Sequence, residues 1–499
     1  NSRSPKEGTR SLRRRPPGAA PGWIDFWAFC GEATGLLAMV ASLLKFLFIT
    51  LEVVLLFNLL ILVHELGHFL AARWRGLLVE KFAIWFGKPI WSKTINGVEY
   101  RLGSIPAGGY VAIPQLAPME ALEGKVETDR SQLPPVKPLD KIIVAAAGPA
   151  FSLGLAFLMA IIVSFVGKPE SESDSTTIGY VKPGGPAEYA GLRVGDRILA
   201  VDGQPVKRFM GGTDGVKWRI IRSERDTIPF RVERDGEELT INSGWTKPAT
   251  ASWRRPALRE VQIGPRILPG IGFVLRGSVA DKAGLKADDL IVAVNGKPIF
   301  NLDELVPFLK DNAGKSIELT VNREGQSLPV ALPVPPATAS NPNAPMDLGI
   351  DWGRVVFSHP TPWSQIKDAA TSIFRMVGAL LSPKSDVKAA HFSGPVGIMR
   401  LYYQVFETNY GWQLALSLSV LINVNLAILN LLPFPVLDGG HIVLALVEGI
   451  RRKPINVHVL EVVQTACAVL LIGFMLYVTF FDVGDIFATR PKEATEQSK

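Results

Sequence analysis

The chain has 499 residues with 53 basic and 46 acidic side chains, which gives a net charge of +7. This length favours two to four domains, and 47% hydrophobic with 20% charged residues exclude a chain that is disordered throughout. Two cysteines exclude a disulfide scaffold. The basic residues form no long stripe beyond the N-terminal tail, so nucleic acid is not an expected partner.

Four apolar segments predict a polytopic α-helical membrane protein in contact with the lipid bilayer. Residues 142–166, 412–437 and 462–481 contain no charged side chain, and residues 36–63 are interrupted only by Lys45 and Glu52. About 20 apolar residues cross a bilayer as a helix, so each segment is long enough. The predicted order is a basic tail (1–35), helix 1 (36–72), a β-loop region (73–140), helix 2 (141–166), two inserted domains (170–250 and 260–335), a linker with an amphipathic helix (346–411), helix 3 (412–438), helix 4 (459–482) and a C-terminal tail (483–499).

Basic residues beside the spans indicate the orientation. With four spans, the loops 64–141 and 438–461 lie on one side, and Arg75, Lys141 and Arg452 are among their basic residues. The positive-inside rule makes this side cytoplasmic and places the long insert on the opposite side. Arginines in the N-terminal tail argue for the reverse orientation, although they are distant from the span.

The insert contains an internal repeat. Residues 183–206 align without gaps to 276–299, with 11 of 24 positions identical. Two copies predict two small domains, because a stacked solenoid needs about three or more repeats. In each copy a strand precedes a short helix and a second strand that ends in an Asp-Gly or Asn-Gly turn.

The two copies resemble PDZ domains in their permuted bacterial form, which are α+β domains. PDZ domains bind an extended peptide as an added strand. The alternative is that one or both copies are rigid spacers. The resemblance implies that the carboxylate-binding loop and the strand beside each groove are formed by Ile178, Gly179, Tyr180 and Val181, and by Ile271, Gly272, Phe273 and Val274.

Residues 363–381 have apolar side chains at helical spacing on one side. This pattern predicts an amphipathic helix just before the third span. It could lie on the membrane surface or against the inserted domains, and the sequence leaves both open.

An H-E-x-x-H motif, His64-Glu65-Leu66-Gly67-His68, ends the first span. Histidines four residues apart face the same side of a helix, so both imidazoles can reach one zinc ion. Glu65 can take a proton from the attacking water. Because ionisable residues at membrane depth are costly, the motif predicts a zinc hydrolase. The alternative is a hydrogen-bonded cluster without metal.

Catalytic zinc takes three protein ligands, so a third is required. Asp438 directly follows the charge-free third segment and is the expected ligand. Pro433 and Pro435 interrupt the helix, which predicts irregular backbone at Asp438. His441 is a rival ligand, for which a helix-start or supporting role is favoured.

Together these features resemble the site-2 protease family of intramembrane zinc proteases. HELGH in a first span, N-x-x-P-x-P-x-x-D-G-G in a third, and two PDZ domains between the second and third spans carry the resemblance over about residues 36–485. It implies that His64, His68 and Asp438 bind one zinc ion and that Glu65 is the catalytic base.

The resemblance has two further consequences for single residues. Asn425 and Asn430 occupy positions where polar residues of the third span help to hold substrate, although hydrogen bonding between helices would also explain them. The family usually has Gly-Pro-x-x-Asn in the second span, whereas this chain has Ser152 at the asparagine position.

The region after HELGH predicts a β-hairpin. Residues 89–95 and 98–105 alternate as strands around Asn96-Gly97, a strong two-residue turn signal, and residues 108–111 form another candidate strand. A hairpin edge near the site could pair with an extended substrate. A plain cytoplasmic hairpin is the alternative.

The expected function is hydrolysis of membrane proteins within their transmembrane segments. The family resemblance further implies an inner-membrane location, PDZ domains on the periplasmic side, and substrates such as a pre-trimmed anti-sigma factor and remnant signal peptides. Two other hypotheses are a membrane-anchored PDZ scaffold with an inactive zinc motif and a transporter of protons or metal.

Overall fold

The computed structural model describes residues 23–116, 133–171, 175–250, 254–337, 347–353, 355–408, 410–453 and 457–488. The outer parts of both predicted tails, residues 117–132 of the predicted β-loop region, residues 172–174 of the first inserted domain, and residues 346, 354 and 409 of the predicted linker lie outside these ranges. The chain divides into two compact units, residues 1–55 and 56–499. Helix α1 begins in the first unit, and the remaining elements described below belong to the second.

The helices are α1 (Trp23–Trp74), α2 (Pro138–Val166), α3 (Pro186–Ala190), α4 (Val216–Arg222), α5 (Val279–Lys282), α6 (Leu302–Asp311), α7 (Pro362–Leu381), α8 (Pro395–Phe406), α9 (Gly411–Asn430), α10 (Asp438–Arg451) and α11 (Val457–Ala488).

The strands are β1 (Lys81–Ile95), β2 (Val98–Ala112), β3 (Lys168–Ser171), β4 (Ile178–Val181), β5 (Arg197–Val201), β6 (Gln204–Pro205), β7 (Ile228–Arg234), β8 (Glu237–Ser243), β9 (Ile263–Pro265), β10 (Ile271–Val274), β11 (Leu290–Val294), β12 (Lys297–Pro298), β13 (Ser316–Arg323), β14 (Gln326–Pro333), β15 (Ile350–Trp352) and β16 (Val355–Ser358).

Four of the described helices contain segments long and apolar enough to cross a membrane, which confirms the predicted number of spans. These segments are Ser42–Trp74, Pro138–Val166, Gly411–Asn430 and Val462–Ile486. Helix α9 ends at Asn430, eight residues before the predicted boundary at 438, because the chain turns away from the helix before Pro433. The protein is therefore a polytopic membrane protein.

Strands β1 and β2 form a bent antiparallel hairpin that is longer than the sequence predicted. The turn residues Asn96 and Gly97 both have positive φ, as a two-residue hairpin turn requires. Residues 81–84 pair with residues 109–112 on one side and with residues 99–102 on the other. The candidate strand at 108–111 is thus the last part of β2 and forms an outer strand of this small sheet.

The two repeat copies fold into units of the same topology. The first has a four-stranded sheet in the order β6-β5-β7-β8, and the second has the order β12-β11-β13-β14. In each unit the strand at the start of the repeat pairs with a later one, β4 with β9 and β10 with β15. Each sheet covers its own apolar core. The core is centred on Ile198 and Phe230 in the first repeat unit and on Ile291 and Leu319 in the second repeat unit.

An identical ion pair stabilises both units. Asp196 is 1% exposed in its side chain and accepts hydrogen bonds from Arg234, while Asp289 is 0% exposed and accepts them from Arg323. Each arginine also donates to a backbone carbonyl after the short helix, so the pair ties the end of the sheet to the helix.

We expect Asp196→Ala to destabilise the first repeat unit by about 3 kcal/mol, because it leaves the Arg234 guanidinium largely buried without its carboxylate. Pulse proteolysis of the full-length protein in urea would measure this change. Glu233→Ala is the matched control, since its pair with Arg197 is largely exposed and such pairs contribute less than about 1 kcal/mol. Equal effects of both substitutions would contradict the prediction.

Helix α7 is the amphipathic helix predicted from residues 363–381, and it contacts helices α2 and α9 as well as the first repeat unit. Ala369 packs against Ala156 of α2 and Val424 of α9. Further along, Met376 packs beside the cluster that contains Ile221 of the first repeat unit. The apolar side of α7 therefore joins the membrane helices to the first repeat unit.

The segment between the two repeat units is tied to the membrane helices by arginines. Arg255 contacts Asp482 and Asp485 of α11 at 2.6 and 2.7 Å, and Arg259 contacts Asp386 at 2.8 Å. Asp482 is 1% exposed and also accepts hydrogen bonds from two backbone amides at the start of α8. The Arg255 pairs fix this segment relative to α11, and the buried Arg259 pair fixes it relative to the chain that follows α7.

Candidate metal centre

The two histidines of HELGH lie one turn apart on α1 and face α2. The Nδ1 atom of His68 donates to the carbonyl oxygen of Val144 at 2.8 Å, so in the neutral ring Nε2 carries the lone pair. The Nδ1 atom of His64 lies 3.0 Å from the hydroxyl of Ser152. The two Nε2 atoms are consequently directed toward each other, at a distance of 3.3 Å.

Asp438 completes this cluster. Its two carboxylate oxygens lie 3.2 Å from His64 Nε2 and 3.3 Å from His68 Nε2. Asp438 is the first residue of α10 and is not on irregular backbone as predicted; the irregular stretch is 431–437. A carboxylate is favourable at this position because the first turn of a helix presents unpaired amide groups.

The cluster has the dimensions of a zinc site. Zinc binds nitrogen and oxygen ligands at about 2.0–2.1 Å in tetrahedral geometry, which puts any two ligand atoms about 3.3–3.4 Å apart. The two Nε2 atoms are 3.3 Å apart, and each lies 3.2–3.3 Å from a different carboxylate oxygen of Asp438, which is close to this distance. Two imidazole lone pairs and a carboxylate converge here, so the residues present fit a divalent cation.

Glycines allow the helices to approach closely enough to form the cluster. A Cβ atom on Gly148 of α2 would lie 2.2 Å from His68 Nε2 and 2.9 Å from His64 Nε2. On α1, a Cβ atom on Gly67 would lie 2.5 Å from the carbonyl oxygen of Ala147. Gly439 and Gly440 are similarly packed against the backbone of 431–435, which positions the start of α10.

Glu65 lies between the histidines and the hairpin. It lines a cavity of about 1030 Å³ together with His64, His68 and Asp438. The outer strand of the hairpin, residues 108–111, borders the same cavity. A Cβ atom on Gly109 would lie 3.2 Å from the Cγ of Glu65, so the strand passes directly beside this carboxylate.

The predicted substrate residues of the third span lie in different places. Asn430 lines the cavity, and its amide nitrogen is 3.3 Å from His64 Nε2. Asn425 is five residues earlier on α9 and is not among the residues that line this cavity. His441 lines the cavity in the first turn of α10 but is not part of the three-ligand cluster.

The predicted peptide-groove residues are β4 and β10. One edge of β4 is occupied by β9, and the first residue of β4 exchanges hydrogen bonds with Asp196 and Gly195. In β10, Ile271 makes the same contacts to Asp289 and Asp288. Among the described strands, β4 pairs only with β9 and β10 only with β15 in these two-stranded sheets.

Ser152 is a functional candidate that sequence analysis noted only as a departure from the family pattern. It is fully buried on α2, and its hydroxyl contacts the Nδ1 atom of His64. Gly148 and Ser152 are one helical turn apart, so the same face of α2 accommodates the imidazoles and orients one of them. The spacing of Gly-Pro-x-x-Ser was the available signal.

We expect Ser152→Ala to weaken zinc binding by about tenfold, because partners that orient a metal-binding histidine contribute about 10–100-fold to affinity. Competition with a zinc chelator would measure the affinity of the purified protein. Ser164→Ala on the same helix is the control, since its hydroxyl donates only to the carbonyl oxygen of Ile161. Unchanged affinity in Ser152→Ala would show that His64 needs no such partner.

Comparisons with known proteins agree with this geometry. A sequence model of the family described as Peptidase family M50 matches residues 52–474. The chain is 31% identical over 469 residues to the regulator of sigma-E protease RseP of Escherichia coli, covering 88% of this chain and 99% of that protein. It is 30% identical over 449 residues to a protein of Neisseria meningitidis named as a zinc metalloprotease, covering 86% and 97%. RseP of Salmonella typhimurium is 29% identical over 460 residues, covering 84% and 96%.

Proposed function

Since the chain belongs to peptidase family M50 and is a zinc metalloprotease of the site-2 type, we propose that it hydrolyses peptide bonds within the transmembrane segments of other membrane proteins. The observation that carries this proposal is the convergence of two imidazoles and a carboxylate in a protein with four membrane spans. Ionisable side chains within membrane-spanning segments are energetically unfavourable, so a cluster of three indicates a functional site.

In this proposal His64, His68 and Asp438 hold the zinc ion. When bound, zinc lowers the pKa of water to about 7 and polarises the scissile carbonyl. The contacts of His64 with Ser152 and of His68 with Val144 orient the two rings toward the ion. His441 borders the cavity in a supporting position.

Glu65 acts as the base. Its carboxylate takes a proton from the attacking water and gives it to the leaving amine nitrogen when the peptide bond breaks. The amide of Asn430 lies beside His64 and can donate a hydrogen bond to the oxygen of the substrate carbonyl as negative charge develops there. Asn425 lies away from the cavity, and among the described residues its buried side-chain oxygen has no hydrogen-bond partner.

The outer strand of the hairpin holds the substrate in an extended form. A transmembrane substrate arrives helical, with its carbonyl groups engaged and its scissile bond shielded. Residues 109–112 pair with 81–84, and residues 108–111 of the same strand border the cavity together with Glu65. Pairing with this strand would unwind the substrate locally and place a peptide bond beside Glu65.

The two repeat units are PDZ domains in this proposal, and they select substrates. Peptides would add as strands in grooves beside β4 and β10, whose residues would form the carboxylate-binding loop and the strand next to each groove. The units would admit proteins whose outer domain another protease has removed, such as a trimmed anti-sigma factor, and remnant signal peptides. The names of the RseP relatives as regulators of sigma-E support this substrate class.

We place the protein in the inner membrane, with the zinc site near the cytoplasmic face and the repeat units on the periplasmic side. Val144, which contacts His68, and Val166 at the end of α2 are 22 residues apart, or about 33 Å along a helix. This distance spans the hydrocarbon core, so the insert that follows α2 begins at the opposite membrane face.

The decisive experiment compares cleavage of a membrane substrate with and without its outer domain. The enzyme, reconstituted in phospholipid vesicles, should cleave the truncated form much faster than the full-length form, and Glu65→Gln should cleave neither. Binding of both forms by wild type without any product would favour a scaffold. Metal or proton flux in the same vesicles without cleavage would favour a transporter.

A further inference from the structure

The bend of the β1–β2 hairpin contains a strained residue. Trp85 has φ +69°, a left-handed conformation that is unfavourable for a large side chain. The pairing register of β1 shifts on both sides of Phe86, next to it in the chain. A Cβ atom on Gly103 of β2 would lie 2.2 Å from the carbonyl oxygen of Phe86, so the two strands cross closely at this bend.

A polar residue of α1 binds the strained tryptophan. The indole nitrogen of Trp85 donates a hydrogen bond to the side-chain oxygen of Asn58. Asn58 lies within the first membrane span, where an amide side chain is costly unless it has a partner. Strained backbone persists where surrounding contacts enforce it, and such positions cluster at functional sites.

The bend supports the strand that borders the cavity. A Cβ atom on Gly108 would lie 2.1 Å from the Phe86 ring, and that ring stacks on Tyr110 with centroids 5.9 Å apart. Gly109, between them, lies against Glu65 and Ile61 of α1. Contacts therefore run from Trp85 through its neighbour Phe86 to residues 108–110.

Asn58, which binds Trp85, and Glu65, which lies beside Gly109, are on the same face of α1. Asn58, Ile61 and Glu65 are spaced by three and four residues, so they lie along one side of the helix. Asn58 fixes the bend, and Glu65 is beside the outer strand. A change at Asn58 would therefore move the outer strand relative to Glu65 while leaving the zinc ligands on α1 and α10 in place.

We propose that Asn58 and Trp85 are a positioning pair that holds residues 109–112 in register with Glu65 and thereby sets the affinity for substrate. This inference rests on the proposed function, in which the outer strand pairs with substrate. Neither residue touches the reacting atoms. Their hydrogen bond fixes where an extended substrate lies in relation to the base.

The test measures KM and kcat for a model transmembrane peptide with the full-length enzyme in vesicles of phosphatidylethanolamine and phosphatidylglycerol. Asn58→Ala and Trp85→Phe should each raise KM about fivefold or more, with kcat changed less than about twofold and zinc content unchanged. The double variant should be no worse than either single variant, because both remove one bond. Trp91→Phe, on an exposed part of β1, is the matched control.

Trp85→Gly separates positioning from stability. Glycine accepts a left-handed conformation without strain, which offsets part of the stability lost with the indole and its hydrogen bond to Asn58, so this variant should keep the bend and still show the raised KM. A wild-type KM in both Trp85→Gly and Trp85→Phe would overturn the inference. Additive increases of KM in the double variant Asn58→Ala/Trp85→Phe would also overturn it.

Hydrogen exchange makes the inference testable apart from catalysis. The amides of residues 81–84 and 108–112 should exchange faster in Asn58→Ala than in wild type. Unchanged exchange would overturn the positioning role even in an active enzyme. Failure of wild type to cleave any peptide, with faster exchange in Asn58→Ala, would defeat the proposed function and leave the positioning pair standing.

Discussion

Replacing Glu65 by glutamine should reduce cleavage of a transmembrane substrate by about 10²–10⁴-fold, which is the usual contribution of a general base. Glutamine has nearly the same shape as glutamate but cannot accept the proton of the attacking water. Since Glu65 is not one of the three converging donors, zinc content should remain at the wild-type level. Product analysis and metal analysis of the same purified sample would measure both quantities.

Glu99→Gln is the matched control for this experiment. Glu99 is on β2 and pairs with Arg101, away from the residues that line the cavity. The control should retain wild-type cleavage. Cleavage by Glu65→Gln at the wild-type rate would exclude Glu65 as the base.

Gly148→Ala should abolish zinc binding, although it adds only one methyl group. The new Cβ atom would lie 2.2 Å from the Nε2 atom of His68 and 2.9 Å from that of His64, where the ion must bind. We expect zinc affinity to fall by more than the roughly 100-fold that loss of an orienting partner costs. Zinc content after dialysis against a weak chelator would measure the effect.

Gly154→Ala is the control on the same helix. Its Cβ atom would have no neighbour within 4 Å, so zinc content and cleavage should both remain unchanged. Stoichiometric zinc in Gly148→Ala would contradict the close approach of α2 to the two imidazoles at Gly148.

The elements of the site that were predictable from sequence are those set by local spacing. The four-residue separation of His64 and His68 puts both rings on one helical face whatever the rest of the fold does. Apolar length alone predicted the four spans. Asp438 was predicted because catalytic zinc needs a third protein ligand and this carboxylate directly follows the charge-free third segment.

Other elements depend on contacts between distant segments and could not be read from local patterns. The proline-containing stretch correctly predicted a break after α9, but the new helix that begins at Asp438 follows from packing of Gly439 and Gly440 on that stretch. The partners of Asp196 and Asp289 are arginines 38 and 34 residues away. The strand pairings of β9 and β15 are likewise long-range.

The left-handed Trp85 illustrates why the bend was missed. Sequence rules assign such a conformation to glycine or asparagine, tryptophan favours regular strands, and Trp85 precedes the predicted strand 89–95. The hydrogen bond with Asn58 is a tertiary contact, so it carries no signal in the local sequence.

X-ray absorption at the zinc edge of the purified wild-type enzyme tests the account most directly. If His64, His68 and Asp438 bind the metal, the spectrum should contain two imidazole nitrogens and carboxylate oxygen at about 2.0–2.1 Å. The Asp438→Ala protein should lose an oxygen scatterer and most of its zinc. A sulfur scatterer at about 2.3 Å, or an identical spectrum and zinc content in Asp438→Ala, would contradict the account.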